Sequence, residues 1–206
     1  MYKAVIFDMD GVLRDARDWH YLALNEALKP FDYEISLKDH EERFNGLSTH
    51  VKLRMLSDEH NLPIRLHSII SNVKQDRTLR IAATHCFPNV SHQILLTRLK
   101  AMNIKVGLFT NSIRETTEFM LKHARIFDFF DVIVTNQDVS LGKPSPEGYL
   151  MCMDLLKVSA SETVVVEDGE YGRQAAIGAG CEVVMVADPS ELHVEKLCKH
   201  FPGLIG

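Results

Sequence analysis

The chain opens on an unbroken apolar run, Ala4-Val5-Ile6-Phe7, that stops at Asp8-Met9-Asp10-Gly11. Without polar alternation, such a run fits a strand buried on both faces of a parallel sheet. The period then changes: Trp19, Leu22, Ala23, Ala27 and Leu28 recur at helical spacing until Pro30 ends the pattern. Helical patterns continue over residues 37–43 and 48–60. In the second, Ser48 is the candidate cap and Val51, Leu53, Met55 and Leu56 are the apolar positions. A further helix is expected after Pro63. Residues 15–82 contain no strand pattern and are too many for a simple strand-to-helix connection, so they read as an inserted helical domain. From Phe87-Pro88 onward strands and helices alternate, with strands over 104–109, 131–135, 163–166 and 182–187. That alternation predicts βαβ units and an α/β fold with a parallel sheet, built from residues 1–14 and 83–206.

Composition narrows the function classes. The 206 residues suffice for one large domain or a domain with a sizeable insertion. A formal charge of -5, without basic runs, gives no footprint for nucleic acid or for an anionic membrane surface. No apolar run approaches membrane-spanning length, and the amino terminus enters the first strand without signal-peptide features. A cytoplasmic protein with a small-molecule partner is expected, as a monomer or weak homodimer. Cys86, Cys152, Cys181 and Cys198 are far apart and form no C-x-x-C pair, so they are read as reduced and packed. The ten histidines are scattered and are read as ordinary surface or core residues.

The candidate chemistry lies at the strand ends. Asp8 and Asp10 fall at the carboxyl end of the first strand, where open α/β sheets bind ligands. Two close carboxylates repel unless a cation joins them, and an all-oxygen set favours a hard ion such as magnesium. A D-x-D pair is also compatible with a solvated turn. Thr110-Asn111-Ser112 ends the second strand, where a following helix would offer free N–H groups to a phosphate or be capped by the same residues. Lys143 sits in Gly142-Lys143-Pro144-Ser145-Pro146, a framed position suited to neutralising a phosphate. The fourth strand again stops at acids, Glu167-Asp168. Between two helices of the insertion, Asn45, Gly46, Ser48 and Thr49 form either an ordinary turn or a ligand contact.

In order and spacing, Asp8-x-Asp10, Thr110, Lys143 and Glu167-Asp168 resemble the haloacid dehalogenase-like superfamily of phosphotransferases. Asp8 to Leu13, Gly142 to Pro146 and Glu167-Asp168-x-x-x-Gly172-x-x-Ala175-Ala176 are similar to the branch with phosphoglycolate phosphatase, sugar-phosphate phosphatases and β-phosphoglucomutase. The resemblance implies a Rossmann-like, doubly wound core, with residues 15–82 as a mobile helical cap. It implies Asp8 as the nucleophile that becomes an aspartyl phosphate and Asp10 as general acid then base. It also implies magnesium on Asp8, the Asp10 carbonyl and Asp168, with Glu167 in reach through water. Thr110, the Asn111 backbone and Lys143 would hold phosphoryl oxygens. Three positions depart from the pattern: Gly169 follows the acid pair in place of serine or asparagine, Ala16 replaces serine or threonine, and Arg14 replaces an apolar residue. Without a hydrogen-bonding residue at 169, a looser Asp168 is expected. Arg14 reads as a solvated charge at the cap hinge or as a contact to an anionic substrate.

The function expected is a magnesium-dependent phosphatase of a small phosphomonoester, a sugar phosphate or related metabolite, with Asn45 to Thr49 contacting the leaving group. The first alternative is a β-phosphoglucomutase-type transferase. Against it, Asn45 and Thr49 stand where mutases resemble a basic loop, so the cap is expected to lack charge for a second phosphate. The second alternative is a metabolite-binding module without turnover.

Overall fold

The computed structural model describes residues 1–205. Five parallel strands form one sheet: β1 (Ala4–Phe7), β2 (Lys105–Phe109), β3 (Val132–Val134), β4 (Thr163–Glu167) and β5 (Glu182–Met185). Their order is β3-β2-β1-β4-β5. Because the chain winds outward from β1 in one direction and later returns to its other side, the strand order reverses beside β1. Ligands of doubly wound sheets bind at such a point. The register pairs Phe7 with both Leu108 and Val166, so Asp8 leaves the sheet level with Phe109 and Glu167.

The helices follow in chain order. They are α1 (Arg17–Leu28), α2 (Leu37–Asp39), α3 (Thr49–His60), α4 (His67–His85), α5 (Val90–Ala101), α6 (Arg114–His123), α7 (Glu147–Leu156), α8 (Glu170–Gly178) and α9 (Val194–Leu197). The short α2 continues as a π-helical turn over His40–Phe44. Burial of β1 on both faces comes from alternation: Val5 and Phe7 join Leu95, Leu99 and Met120 on one side, while Ala4 and Ile6 join Tyr149, Cys152 and Ala175 on the other. A third apolar cluster belongs to the helical stretch alone: Leu24, Leu28, Ile35, Phe44, Leu53, Leu56 and Ile70. The α4 helix runs on to His85, past position 82, and packs on both α1 and α6. Among the described residues, no helix is long and apolar enough to cross a membrane.

Several expectations change at this level. Val51 is exposed, and the buried positions of α3 are Lys52, Leu53 and Leu56. The stripe is turned by one residue because the Lys52 stem packs inward, a placement that long charged side chains permit. Ser48 does cap α3, accepting from the Val51 amide. Thr110-Asn111-Ser112 is a loop rather than a helix start: α6 begins at Arg114, whose amide donates to Gln137 Oε1. Arg14 is neither solvated nor directed at the site. It is buried, and its Nη1 donates to the Phe87 carbonyl at 2.6 Å, tying together the two chain crossings between sheet and helical stretch. Cys86, Cys152 and Cys181 are free and buried, and Cys198 is free and partly covered.

Candidate active site

The site begins where the strands stop. After β1 the chain turns at Gly11, whose φ of +89° is a backbone conformation glycine adopts without penalty. A Cβ there would fall 1.9 Å from Asp168 Oδ2, so the Gly11 turn and the Asp168 carboxylate occupy one space. Gly172 serves Glu167 in the same way, with a Cβ that would meet its carboxylate at 1.9 Å. Gly169 is different: nothing lies within 4 Å of its would-be Cβ. Arg17 approaches Asp168 at 4.0 Å, a partner for this acid from α1.

Lys143 joins β1 to β4. Its Nζ lies 2.5 Å from Asp8 Oδ1 and 2.6 Å from Glu167 Oε1, beneath the rings of Phe109 and Tyr149. The Lys143–Pro144 peptide is cis, and the lysine backbone is fastened by Asn111, whose Oδ1 accepts from the Lys143 amide at 3.0 Å. Burial works against the Lys143 charge, but Asp8 and Glu167 outweigh it and raise the ammonium above its usual value. Tyr149 donates its hydroxyl to Glu167 Oε1, while Glu167 Oε2 accepts from the Asp168 amide. Glu167 is therefore occupied on both oxygens.

Asp8, Glu167 and Asp168 each bring a carboxylate oxygen within 4.8 Å of the others. Burial raises the Asp8 pKa well above the usual carboxylate range, Lys143 opposes the rise, and Glu167 and Asp168 add to it. Burial and Glu167 likewise push Asp168 up to about 6, against Lys143 and Arg17. With Lys143 as the ammonium that directly contacts two of the three carboxylates, the cluster retains negative charge, and its donors are all oxygen. That chemistry fits a hard divalent cation.

Asp10 has separate partners. Its Oδ2 lies 3.1 Å from His20 Nε2 and accepts from Ser112 Oγ at 2.8 Å, while Oδ1 is buried without a partner. On the far side of the ring, Lys74 Nζ lies 3.0 Å from His20 Nδ1. An ammonium only donates, so Nδ1 accepts from Lys74, and Nε2 carries the hydrogen offered to Asp10. Burial lowers the His20 pKa, with Lys74 adding to the effect, which keeps the ring neutral. For Asp10, burial pulls upward, yet His20, Ser112 and Lys74 together hold it below the usual range.

These groups face a cavity of about 310 Å³ between the strand ends and the helical stretch. Asp8, Asp10, Thr110, Asn111, Lys143, Glu167 and Asp168 line it from the sheet side, as do Asn45, Gly46 and Thr49 from the helical side. Ser48 is not among the lining residues. Gly46, at φ +78°, makes the expected turn, and its carbonyl accepts from Asn111 Nδ2 at 2.7 Å across the cavity. Sequence reasoning missed His20, Lys52 and Lys74, which also line the cavity. The expectation that the helical wall lacks positive charge is thereby corrected: its lysines come from the α3 and α4 helices rather than from the loop around Gly46. The signal available was position alone, since Lys52 and Lys74 occupy inward turns of helices whose neighbours are apolar.

Comparison with known proteins finds a family and a shared fold. The family model for haloacid dehalogenase-like hydrolases matches residues 5–186. A β-phosphoglucomutase from Bacillus subtilis (strain 168) is 29% identical over 192 residues, covering 89% of this chain and 83% of its own length. A phosphorylated carbohydrates phosphatase from Thermotoga maritima is 29% identical over 180 residues, covering 87% of this chain and 82% of its own. Among solved structures, a β-phosphoglucomutase from Clostridium difficile aligns with a TM-score of 0.84 at 24% identity. The alignment covers 100% of this chain and 99% of that one, a likeness of fold.

Proposed function

The chain belongs to the haloacid dehalogenase-like hydrolase family, and from that premise we propose that it is a magnesium-dependent phosphatase of a small phosphomonoester, a sugar phosphate or related metabolite. The observation that carries the reading is the division of the D-x-D pair. Asp8 Oδ1 is held by Lys143, while Asp10 Oδ2 is held by His20 and Ser112, in one cavity. The two acids thus have separate partners, and at Asp8 the Lys143 ammonium opposes the burial that raises its pKa and so favours the ionised form a nucleophile needs.

In this reading Asp8 Oδ2, which no protein group engages among the described residues, attacks phosphorus. The new bond joins Asp8 to the phosphoryl group, and the ester P–O bond breaks. The leaving oxygen takes a proton from Asp10. Water then attacks phosphorus, gives its proton to Asp10, and frees Asp8 with release of phosphate. An anionic phosphoryl group entering beside Asp10 opposes the lowering by His20 and favours the protonated form needed first. Thr110, the Asn111 backbone and Lys143 would hold the phosphoryl oxygens, since transfer of this kind depends mostly on position and charge. Asp8, the Asp10 carbonyl and Asp168 would hold magnesium directly, with Glu167 behind them through water, and the bound ion would neutralise charge on the phosphoryl oxygens. Residues 15–82 would act as a cap over the core of 1–14 and 83–206. Their separate apolar cluster and the Asn111–Gly46 hydrogen bond support that role.

The test is phosphate release from a panel of phosphosugars and other phosphomonoesters, with magnesium and with chelator. Metal-dependent release is expected, and no release from any member overturns the phosphatase reading. A β-phosphoglucomutase-type transfer is the second reading, favoured by Lys52 and Lys74 in the cavity. It predicts isomerised sugar phosphate in place of free phosphate when a bisphosphate activator is supplied.

A further inference from the structure

Each cation lining the cavity has a protein partner but one. Lys143 is held by Asp8 and Glu167, Lys74 by His20, and Arg17 lies 3.5 Å from Asp15 and 4.0 Å from Asp168. Lys52, 6% exposed, makes no hydrogen bond or ion pair among the described residues. Glu41 and Glu42 also line the cavity, but both are exposed and neither pairs with it. Asp10 acts on Lys52 through space but spends its carboxylate on His20 and Ser112, and a buried ammonium without a direct partner is costly, a cost recovered when an anion enters.

We propose that the substrate carries a second anionic group, a carboxylate or a further phosphate remote from the transferred phosphoryl group, and that Lys52 is its anchor. This rests on the reading that the phosphoryl group occupies the sheet end of the cavity. The carboxylates Asp8, Asp10, Glu167 and Asp168 are already engaged or suited to a metal, so Lys52 is the lining cation still available to a ligand. Its position on α3 puts the anchor in the helical wall, opposite the strand ends. A neutral sugar hydroxyl would satisfy an ammonium only in part. An anion supplies both hydrogen-bond acceptors and charge, and charge-assisted bonds are the stronger kind.

Binding to the Asp8→Asn protein tests this without turnover. The probes are a sugar monophosphate, the corresponding bisphosphate and the corresponding phosphorylated sugar acid, each titrated by calorimetry. At least one doubly anionic probe is expected to bind roughly tenfold or more tightly than the monophosphate, as a charged hydrogen bond in a buried site allows. Comparing the bisphosphate with the sugar acid tells phosphate from carboxylate. Adding Lys52→Gln should collapse the advantage to within about twofold, and Lys52→Arg should restore part of it. Equal binding of all three probes to the Asp8→Asn protein overturns the proposal, as does an advantage that survives Lys52→Gln. Hydrolysis by the unaltered enzyme is scored separately. A Lys52-dependent preference without any phosphate release would keep this inference and sink the phosphatase reading.

Discussion

The two walls of the cavity treat charge in opposite ways. At the strand ends, Lys143 is enclosed by Asp8 and Glu167, the Tyr149 hydroxyl supports Glu167, and Gly11 and Gly172 leave room for the carboxylates. On the helical wall, Lys52 is equally buried and has no hydrogen-bond or ion-pair partner among the described residues. The first wall is paired in advance, whereas the second, on the proposal above, takes its partner from a ligand. Fixed charges aimed at a reacting group are what electrostatic catalysis needs, and an uncompensated charge is what selection of a ligand needs. On the proposed reading, the chemistry is separated from the choice of substrate.

Substitutions on the two walls should therefore differ in kind. The largest effect is expected for Asp8→Asn, with turnover falling on the order of 10⁵-fold while ligand binding persists, measured by kcat alongside calorimetry. Retained turnover would break the assignment of chemistry to the sheet wall. Lys143→Met comes next. Removing the ammonium leaves Asp8 and Glu167 facing each other in a buried site, and stability should fall by roughly 3–5 kcal/mol in denaturant titration.

Lys52→Met should act in the opposite direction. Burial, with help from Lys74 and against Asp10, lowers the Lys52 ammonium to about 7. The folded chain therefore gives up this proton more readily than the unfolded chain. The penalty for burying the charged form is full below about pH 7 and disappears as pH rises toward the unfolded pKa near ~10.4. The variant should gain about 1–3 kcal/mol at pH 6–7, with the gain fading by about pH 10. A loss of stability at neutral pH would mean that Lys52 has a partner and would erase the contrast. The smallest change is Ser48→Ala, which removes the cap of α3 and should cost about 1 kcal/mol in the unfolding midpoint.

The same contrast explains what was legible before the structure. Asp8, Thr110, Lys143 and Glu167 mark strand ends or a framed loop, and strand ends are visible as apolar runs that stop. The parallel sheet and the helical insertion follow from the same change of period. Lys52 and Lys74 sit within helices, where a lysine looks like any solvent-facing charge. Only the packing of α1 along α4, and the inward turn of α3, bring Lys52, Lys74 and His20 to one cavity. His20 was hidden for a related reason. It is ten residues from Asp10 and meets it only after the chain has turned at Gly11 into α1. Arg14 was misplaced because its partner, the Phe87 carbonyl, is 73 residues away in sequence.

Quenching the enzyme in acid during turnover, reducing any acyl phosphate with borohydride and mapping the modified peptide locates the nucleophile directly. Modification is expected at Asp8 and not at Asp10. Modification at another residue, or turnover with no trapped acyl phosphate under conditions that trap one in a related phosphatase, would contradict Asp8 as the nucleophile.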